Sequence, residues 1–242
     1  YAQWTANNYT VTFDKNGGAG DDMANQSFVY DEVQSLTENT YTREGYTFAG
    51  WNPKADNSGI LYEDKAFVSN LTKVNDGIVT LYAQWTANAY TVKFEANGGT
   101  GAAMADQPFR YDVEQSLAEN TYTKEGYTFV GWALSSTGAV IYGDKASVSN
   151  LTEVNNETVT LYAQWTANNY TVAFDKNGGT GTMSPQTFTY DVFQNLSANL
   201  FTRANYSFKS WNTKADGTGD SYTDGQSVTN LTYVNNETVT LY

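Results

Sequence analysis

The string Leu-Tyr-Ala-Gln-Trp-Thr-Ala-Asn occurs at Leu81–Asn88 and again at Leu161–Asn168, and its last seven residues open the chain at Tyr1–Asn7. Other anchors keep step with it. Trp4, Trp85 and Trp165 are 81 and 80 residues apart, and Trp51, Trp132 and Trp211 are 81 and 79 apart. A period of this size means that one unit of several elements recurs along the chain. The 242 residues are therefore read as three tandem copies, 9–85, 90–165 and 170–242, with 1–8 as the tail and linker of a preceding copy. The third copy stops at Tyr242, short of its own Ala-Gln-Trp, so its last strand is expected to be incomplete and frayed. Further copies are expected in a longer parent protein, at least on the N-terminal side.

One copy reads almost wholly as strand. Tyr9, Val11 and Phe13 alternate with Thr10 and Thr12, the period of a half-buried strand. Asn16-Gly17-Gly18, repeated at Asn97 and Asn177, favours positive φ and marks a tight turn. Phe28–Leu36 is expected as a second strand paired with the first. Strand alternation then places Tyr46, Phe48 and Gly50 on one face and Thr47, Ala49 and Trp51 on the other. A turn is expected at Glu63-Asp64 and another strand around Phe67. Val79, Leu81, Ala83 and Trp85 line one side of the closing strand. Only Leu36–Asn39 has room for a helical turn, and no stretch carries a long 3.6-residue period. The unit is thus five or six short strands with little helix, in roughly 76 residues, large enough to fold alone. Thr86–Ala89 is read as the linker between copies. Four residues reach at most about 13 Å, so neighbours nearly touch. A unit of this size is roughly 30 Å across, and three in a segmented rod extend on the order of 100 Å.

Composition supplies the cores. Of all residues 40% are hydrophobic and 15% aromatic, while only 16% are charged, a balance that argues against disorder. The net charge of −13 repels phosphate backbones and anionic lipid heads. No nucleic-acid partner and no membrane insertion are expected. With no Cys and no His, disulfides, thiolate or imidazole metal sites, and Ser-His or Cys-His catalysis are all excluded. The absence of Cys leaves the compartment open.

Three motifs in fixed order carry a resemblance. Tyr-Thr-Val-Thr-Phe-Asp-Lys-Asn-Gly-Gly at Tyr9–Gly18, Tyr41–Asn52 and Val79–Trp85 resemble the Listeria–Bacteroides repeat, also called the internalin B-repeat, in all three copies. The third copy departs at Ala204-Asn205, in place of Glu-Gly, and at Ser210, in place of Gly. The resemblance implies an α+β, β-dominated, β-grasp-like (ubiquitin-like) fold with a reduced helix. It also implies a place in secreted or wall-anchored bacterial surface proteins, between an effector domain and the cell.

Each candidate site has a simpler account. The carboxylate pairs Glu63-Asp64 and Asp21-Asp22 are not kept in every copy, since Gly143 and Thr223 replace Glu63; they read as solvated turns rather than acid–base pairs. Asp216, Asp220 and Asp224 lack the spacing of a calcium loop and read as a Gly-rich hairpin. Asn16–Gly20 lacks the Lys-Ser/Thr of a phosphate loop. No Lys holds one position in all copies, so an obligatory isopeptide is not expected. Most of the recurring rings, such as Tyr46, Phe48 and Trp51, are expected in the core, with Tyr82 or Tyr41 as candidates for exposure. No catalytic, cofactor or metal residue is expected.

Two functions remain. The first is a non-enzymatic spacer that projects another domain from the bacterial surface, its partners being its own neighbouring copies. The second is a multivalent adhesive module for a host protein or glycan. Solution scattering should give an elongated particle with limited bending. A globule with three cores merged into one contradicts the parse.

Overall fold

Period-two alternation becomes strand where it was expected. In the computed structural model, which describes all 242 residues, β1 (Asn8–Asp14) buries Tyr9, Val11 and Phe13. It is followed by β2 (Gln26–Val29), β3 (Gln34–Ser35), β4 (Tyr46–Asn52), β5 (Phe67–Val68) and β6 (Gly77–Ala87). The four longer strands form one sheet in the order β2-β1-β6-β4. β1 pairs antiparallel with β2 and parallel with β6, and β4 runs antiparallel to β6. The short strands β3 and β5 pair with each other.

The second copy repeats this with β7 (Ala89–Glu95), β8 (Gln107–Arg110), β9 (Gln115–Ser116), β10 (Tyr127–Ala133), β11 (Ser147–Val148) and β12 (Thr158–Ala167). Its sheet order is β10-β12-β7-β8. The third copy has β13 (Asn169–Phe174), β14 (Gln186–Thr189), β15 (Gln194–Asn195), β16 (Trp211–Asn212), β17 (Ser221–Tyr222), β18 (Ser227–Val228) and β19 (Thr238–Leu241). Its main sheet has three strands, β14-β13-β19, and β16 pairs with β17 apart from it.

Spatial proximity divides the chain into two compact units. The first is Tyr1–Val92 with Asp106–Ser116 and Ser147–Val159; the second is Lys93–Ala105 with Leu117–Ala146 and Thr160–Tyr242. The first unit holds the first copy and one end of the second. Its core gathers Tyr9, Val11, Phe28, Leu36, Trp51 and Leu81. The second unit holds the other end of the second copy and the third copy, whose core gathers Tyr170, Val172, Phe188, Leu196, Trp211 and Leu241.

Three expectations are corrected. The fold is all strand: no residue is helical, so the reduced helix of an α+β unit is absent. At Leu36–Asn39 the backbone donors are committed elsewhere. Leu36 N–H donates to Ala66 O (2.9 Å), Thr37 N–H to Gln26 Oε1 (2.9 Å) and Asn39 N–H to Asp64 Oδ1 (2.9 Å), so these three are not free to bond an i−4 carbonyl. Phe28–Leu36 is not one strand either. It breaks at Asp31, held at φ 66° by reciprocal bonds with Asn70, whose Oδ1 accepts Asp31 N–H (2.6 Å) and whose Nδ2 donates to Asp31 Oδ1 (2.9 Å).

The third correction concerns Trp51. Strict alternation sets it opposite Phe48, but the β4–β6 register shifts between Phe48 and Gly50. Ala49 is the extra residue of a β-bulge, and Gly50 takes φ 138°. The bulge turns Trp51 to the face of Phe48, with ring centroids 5.1 Å apart, and buries it completely. A Cβ at Gly50 would lie 2.5 Å from Tyr62 O. Gly50→Ala should therefore cost about 2–3 kcal/mol and strip hydrogen-exchange protection from the β4 amides. Ala49→Gly, at an exposed site, should leave that protection in place.

Candidate functional site: the seam between consecutive copies

Thr86–Ala89, read as a linker, is strand up to Ala87 and again from Ala89, so Asn88 alone separates the copies. Asn168 does the same between β12 and β13. A one-residue joint forces the adjoining ends together, and Asn88 bonds to both. Its N–H donates to Gly45 O (2.9 Å), and its Oδ1 accepts from Thr47 Oγ1 (2.6 Å). Toward the second copy, its Nδ2 donates to Glu153 O (2.6 Å), and its carbonyl accepts Tyr111 N–H (2.9 Å). Asn168 repeats all four bonds with Gly126, Thr128, Tyr233 and Tyr190, at 2.6–2.8 Å. Both asparagines are buried, so each lost bond strands a polar group.

A second layer is aromatic. Tyr111 sits edge-on to Tyr46, centroids 5.9 Å apart, and against Gly45, where a Cβ would lie 2.2 Å from the ring. Tyr190 meets Tyr127 and Gly126 with the same 5.9 Å and 2.2 Å. Tyr46 Oη donates to Asp112 Oδ2 (2.8 Å), and Tyr111 Oη donates to Glu44 Oε1 (3.3 Å). The guanidinium of Arg43 lies 3.9 Å from the Tyr46 centroid, and the Lys124 ammonium 4.0 Å from that of Tyr127. Tyr127 donates to Asp191 Oδ2 (2.8 Å).

These bonds shift the titrations. The hydrogen bond to Asp112 raises the Tyr46 phenol, with burial as the next cause, and Asp191 does the same to Tyr127. Burial, then the nearby Glu44, raises Tyr111. The Asp112 carboxyl is lowered, first by the Asn150 amide and then by Tyr46.

The seam was not anticipated, although its residues recur as Tyr-Asp (Tyr30, Tyr111, Tyr190), as Glu-Gly-Tyr (Glu44, Glu125) and as the Asn closing each Thr-Ala-Asn. The candidates that were weighed fall elsewhere. Tyr41, a candidate for exposure, is buried, donating to Phe13 O (3.1 Å) and accepting Met23 N–H (3.0 Å). Tyr82 is half-buried, and Phe48 packs partly buried against the core. Glu63-Asp64 and Asp21-Asp22 are exposed; Asp64 caps Asn39, and Asp22 pairs with Lys15 at 2.9 Å. Asp216 caps Thr218, Asp224 caps Asn199, and neither joins Asp220 in a cluster. Asn16-Gly17 makes the expected turn, both at positive φ, and Asn16 Nδ2 ties it to Ala55 O and Ala83 O (2.9 Å each).

The family comparison accounts for this repetition. The sequence model of the Listeria–Bacteroides repeat domain matches residues 9–84, 90–164 and 170–242. The chain belongs to the Listeria–Bacteroides repeat family. Similar proteins include a Gly-rich membrane protein of Evansella cellulosilytica, 35% identical over 74% of this chain and 19% of that protein. Another membrane protein of the same organism is 32% identical over the whole chain and 33% of its own length. Internalin H of Listeria monocytogenes is 36% identical over 52% of the chain and 20% of its own length. The chain thus spans a third or less of each. No helix here is long and apolar enough to cross a membrane.

Two outcomes follow from the seam. Asn88→Ala, which loses the side-chain bonds to Thr47 and Glu153 O, should cost about 2–3 kcal/mol in denaturant unfolding, while Asn7→Ala, which loses one bond to Lys73 O, should cost less. The pH dependence has two limbs. The raised Tyr46 and Tyr127 stabilise fully below their ordinary 10.0, and that contribution is lost as pH rises through the higher folded values. The lowered Asp112 and Asp191 stabilise above 3.8, and theirs is lost as pH falls through the depressed values. Absorbance titration should show late-ionising tyrosines, fewer of them in Gly45→Ala and Gly126→Ala.

Proposed function

We propose that the chain is a non-enzymatic spacer, standing on the outside of a bacterial cell, that holds another domain away from the surface. The observation that carries this reading is the seam made twice with the same atoms. Reaction chemistry needs one site, whereas a spacer needs the same joint at every step. Each copy is proposed as the repeating unit, within the bounds 9–85, 90–165 and 170–242. Relatives described as membrane proteins and an internalin support the bacterial surface as its place. The net charge of −13 favours neither nucleic acid nor anionic lipid as partner. No cofactor or metal enters this reading, and the carboxylates are used singly, as caps of turns.

The fold proposed for each copy is a β-grasp stripped of its helix. The order β2-β1-β6-β4, with the first and last strands parallel at the centre, supports it.

The rival reading is a multivalent adhesin, which requires one apolar patch repeated on every copy. One valine is exposed in every copy, at Val74, Val154 and Val234, which is too little for such a patch. The larger exposed side chains are not kept in all three: Phe67 is exposed where the other copies carry Ser147 and Ser227, and Ile60 and Leu61 are matched by exposed Val140 and Ile141 in the second copy but by Asp220 and Ser221 in the third. Arrays of one and three copies should both be silent in binding screens against glycans and host-cell extracts. Binding that strengthens sharply from one copy to three overturns the spacer in favour of the adhesin.

A further inference from the structure

The two central strands of the first sheet are the first and last strands of the copy. β1 and β6 run parallel, with Tyr9 opposite Gly77 through Asp14 opposite Tyr82, so their N-terminal ends lie together. A chain under tension enters the copy at the N-terminal end of β1. It leaves at the C-terminal end of β6, where Asn88 passes it into β7. The two forces then act along the strands in opposite senses, and the whole ladder resists at once. Bonds between parallel strands are evenly spaced, so none is singled out to break first. β7 and β12 hold the same central places in the second sheet.

Side chains staple this ladder at both ends. At the entry, Asn7 Nδ2 donates to Lys73 O (2.9 Å), Asn8 N–H to Asn75 Oδ1 (3.2 Å) and Asp76 N–H to Asn8 O (2.7 Å). The second copy repeats this: Asn88 Nδ2 donates to Glu153 O (2.6 Å), Ala89 N–H to Asn155 Oδ1 (3.1 Å) and Asn156 N–H to Ala89 O (2.7 Å). In the third, Asn168 Nδ2 donates to Tyr233 O (2.8 Å), Asn169 N–H to Asn235 Oδ1 (3.2 Å) and Asn236 N–H to Asn169 O (2.7 Å). Asp76, Asn156 and Asn236 all hold φ of 56–62°, which Asn and Asp tolerate. At the far end Asn16 Nδ2 donates to Ala83 O (2.9 Å), and Asn97 Nδ2 to Ala163 O (2.8 Å). Midway, Thr12 Oγ1 donates to Thr80 Oγ1 (3.0 Å).

Resting on the spacer reading for the source of the tension, we propose that the β1–β6 ladder is a mechanical clamp, which carries pulling force through a copy without unfolding it. A spacer is pulled whenever the domain it holds out is held by something else. Forced unfolding is governed by the unfolding rate rather than by equilibrium stability. A unit of modest stability can therefore resist force when its first and last strands must slide past each other to part. The staples serve this purpose, because they join the two strands that take the force and lie outside the aromatic core.

Single-molecule pulling of the full chain in two geometries tests this. The chain has no Cys, so handles attach only where Cys is introduced. Handles on Ala6→Cys and Thr86→Cys load the ladder lengthwise, whereas handles on Ala6→Cys and Lys73→Cys peel it open from the entry end. All three positions are exposed. The lengthwise rupture force should exceed the peeling force about threefold, because peeling breaks the evenly spaced bonds one after another. Asn16→Gly keeps the positive φ of that turn (46°) and removes the far staple. It should lower the lengthwise force and leave the peeling force unchanged, since peeling meets that staple last. Equal forces in the two geometries overturn the clamp, and so does an Asn16→Gly variant that lowers both forces alike or neither. Binding of a glycan or host protein, which would overturn the spacer, leaves the force ratio of the unliganded chain untouched.

Discussion

One strand per copy carries the rest of the structure. β6 pairs with β1 along Gly77–Tyr82 and with β4 along Tyr82–Ala87. Its first half closes the core through Leu81 and Ala83; its second half supplies Trp85 and then runs through Asn88 into the next copy. Closing one copy and starting the next are thus parts of the same extended backbone. A slip of one residue in β6 would turn Leu81 out of the core, and it would also displace Asn88 from the four bonds of the seam. Core and joint therefore fix each other's register.

The joint and the sheet use the same device, a ring laid on a glycine. Tyr111 rests on Gly45, and Trp85 rests on Gly18. In each case the missing Cβ lets an aromatic face reach the backbone, and the ring's polar atom then finds an oxygen: Glu44 Oε1 for Tyr111 and Lys15 O for Trp85. This gives aromatic burial without an orphaned donor. The core tryptophans differ. Trp51, Trp132 and Trp211 are fully buried with unpartnered indole N–H groups, and each is held by rings on several sides, such as Phe13 and Tyr41 around Trp51.

Alternation and turn chemistry made much of the fold legible before any coordinates. Tyr9, Val11 and Phe13 face the core as the pattern requires, and Asn16-Gly17 turns where it should. What alternation hides is any residue that breaks its count. Ala49 adds one residue to β4, and every face assignment after it inverts, so Trp51 moved from one side to the other. Local composition also gives no hint that Gln26 and Asp64 take the amide donors at Thr37 and Asn39, which is why a helical turn was expected there. The seam residues were in plain sight as recurring Tyr-Asp and Thr-Ala-Asn. Thr86–Ala89 looked like a linker because the partners of Asn88 lie some 40 or 65 residues away in sequence, a separation no local pattern encodes.

The third copy shows what these constraints permit. It changes two of the glycines the other copies depend on: Gly45 becomes Asn205 and Gly50 becomes Ser210. Asn205 still takes φ 63°, since asparagine tolerates that conformation, but its Cβ occupies the space where a neighbouring tyrosine ring would rest. Ser210 is disfavoured at the φ 138° that Gly50 takes in the bulge. Trp211 is nonetheless buried, against Phe174 and Phe208. The aromatic core of a copy therefore closes around its tryptophan without the bulge glycine, while in the first copy Gly45 receives the Tyr111 ring and Gly50 lets the bulge turn Trp51 inward.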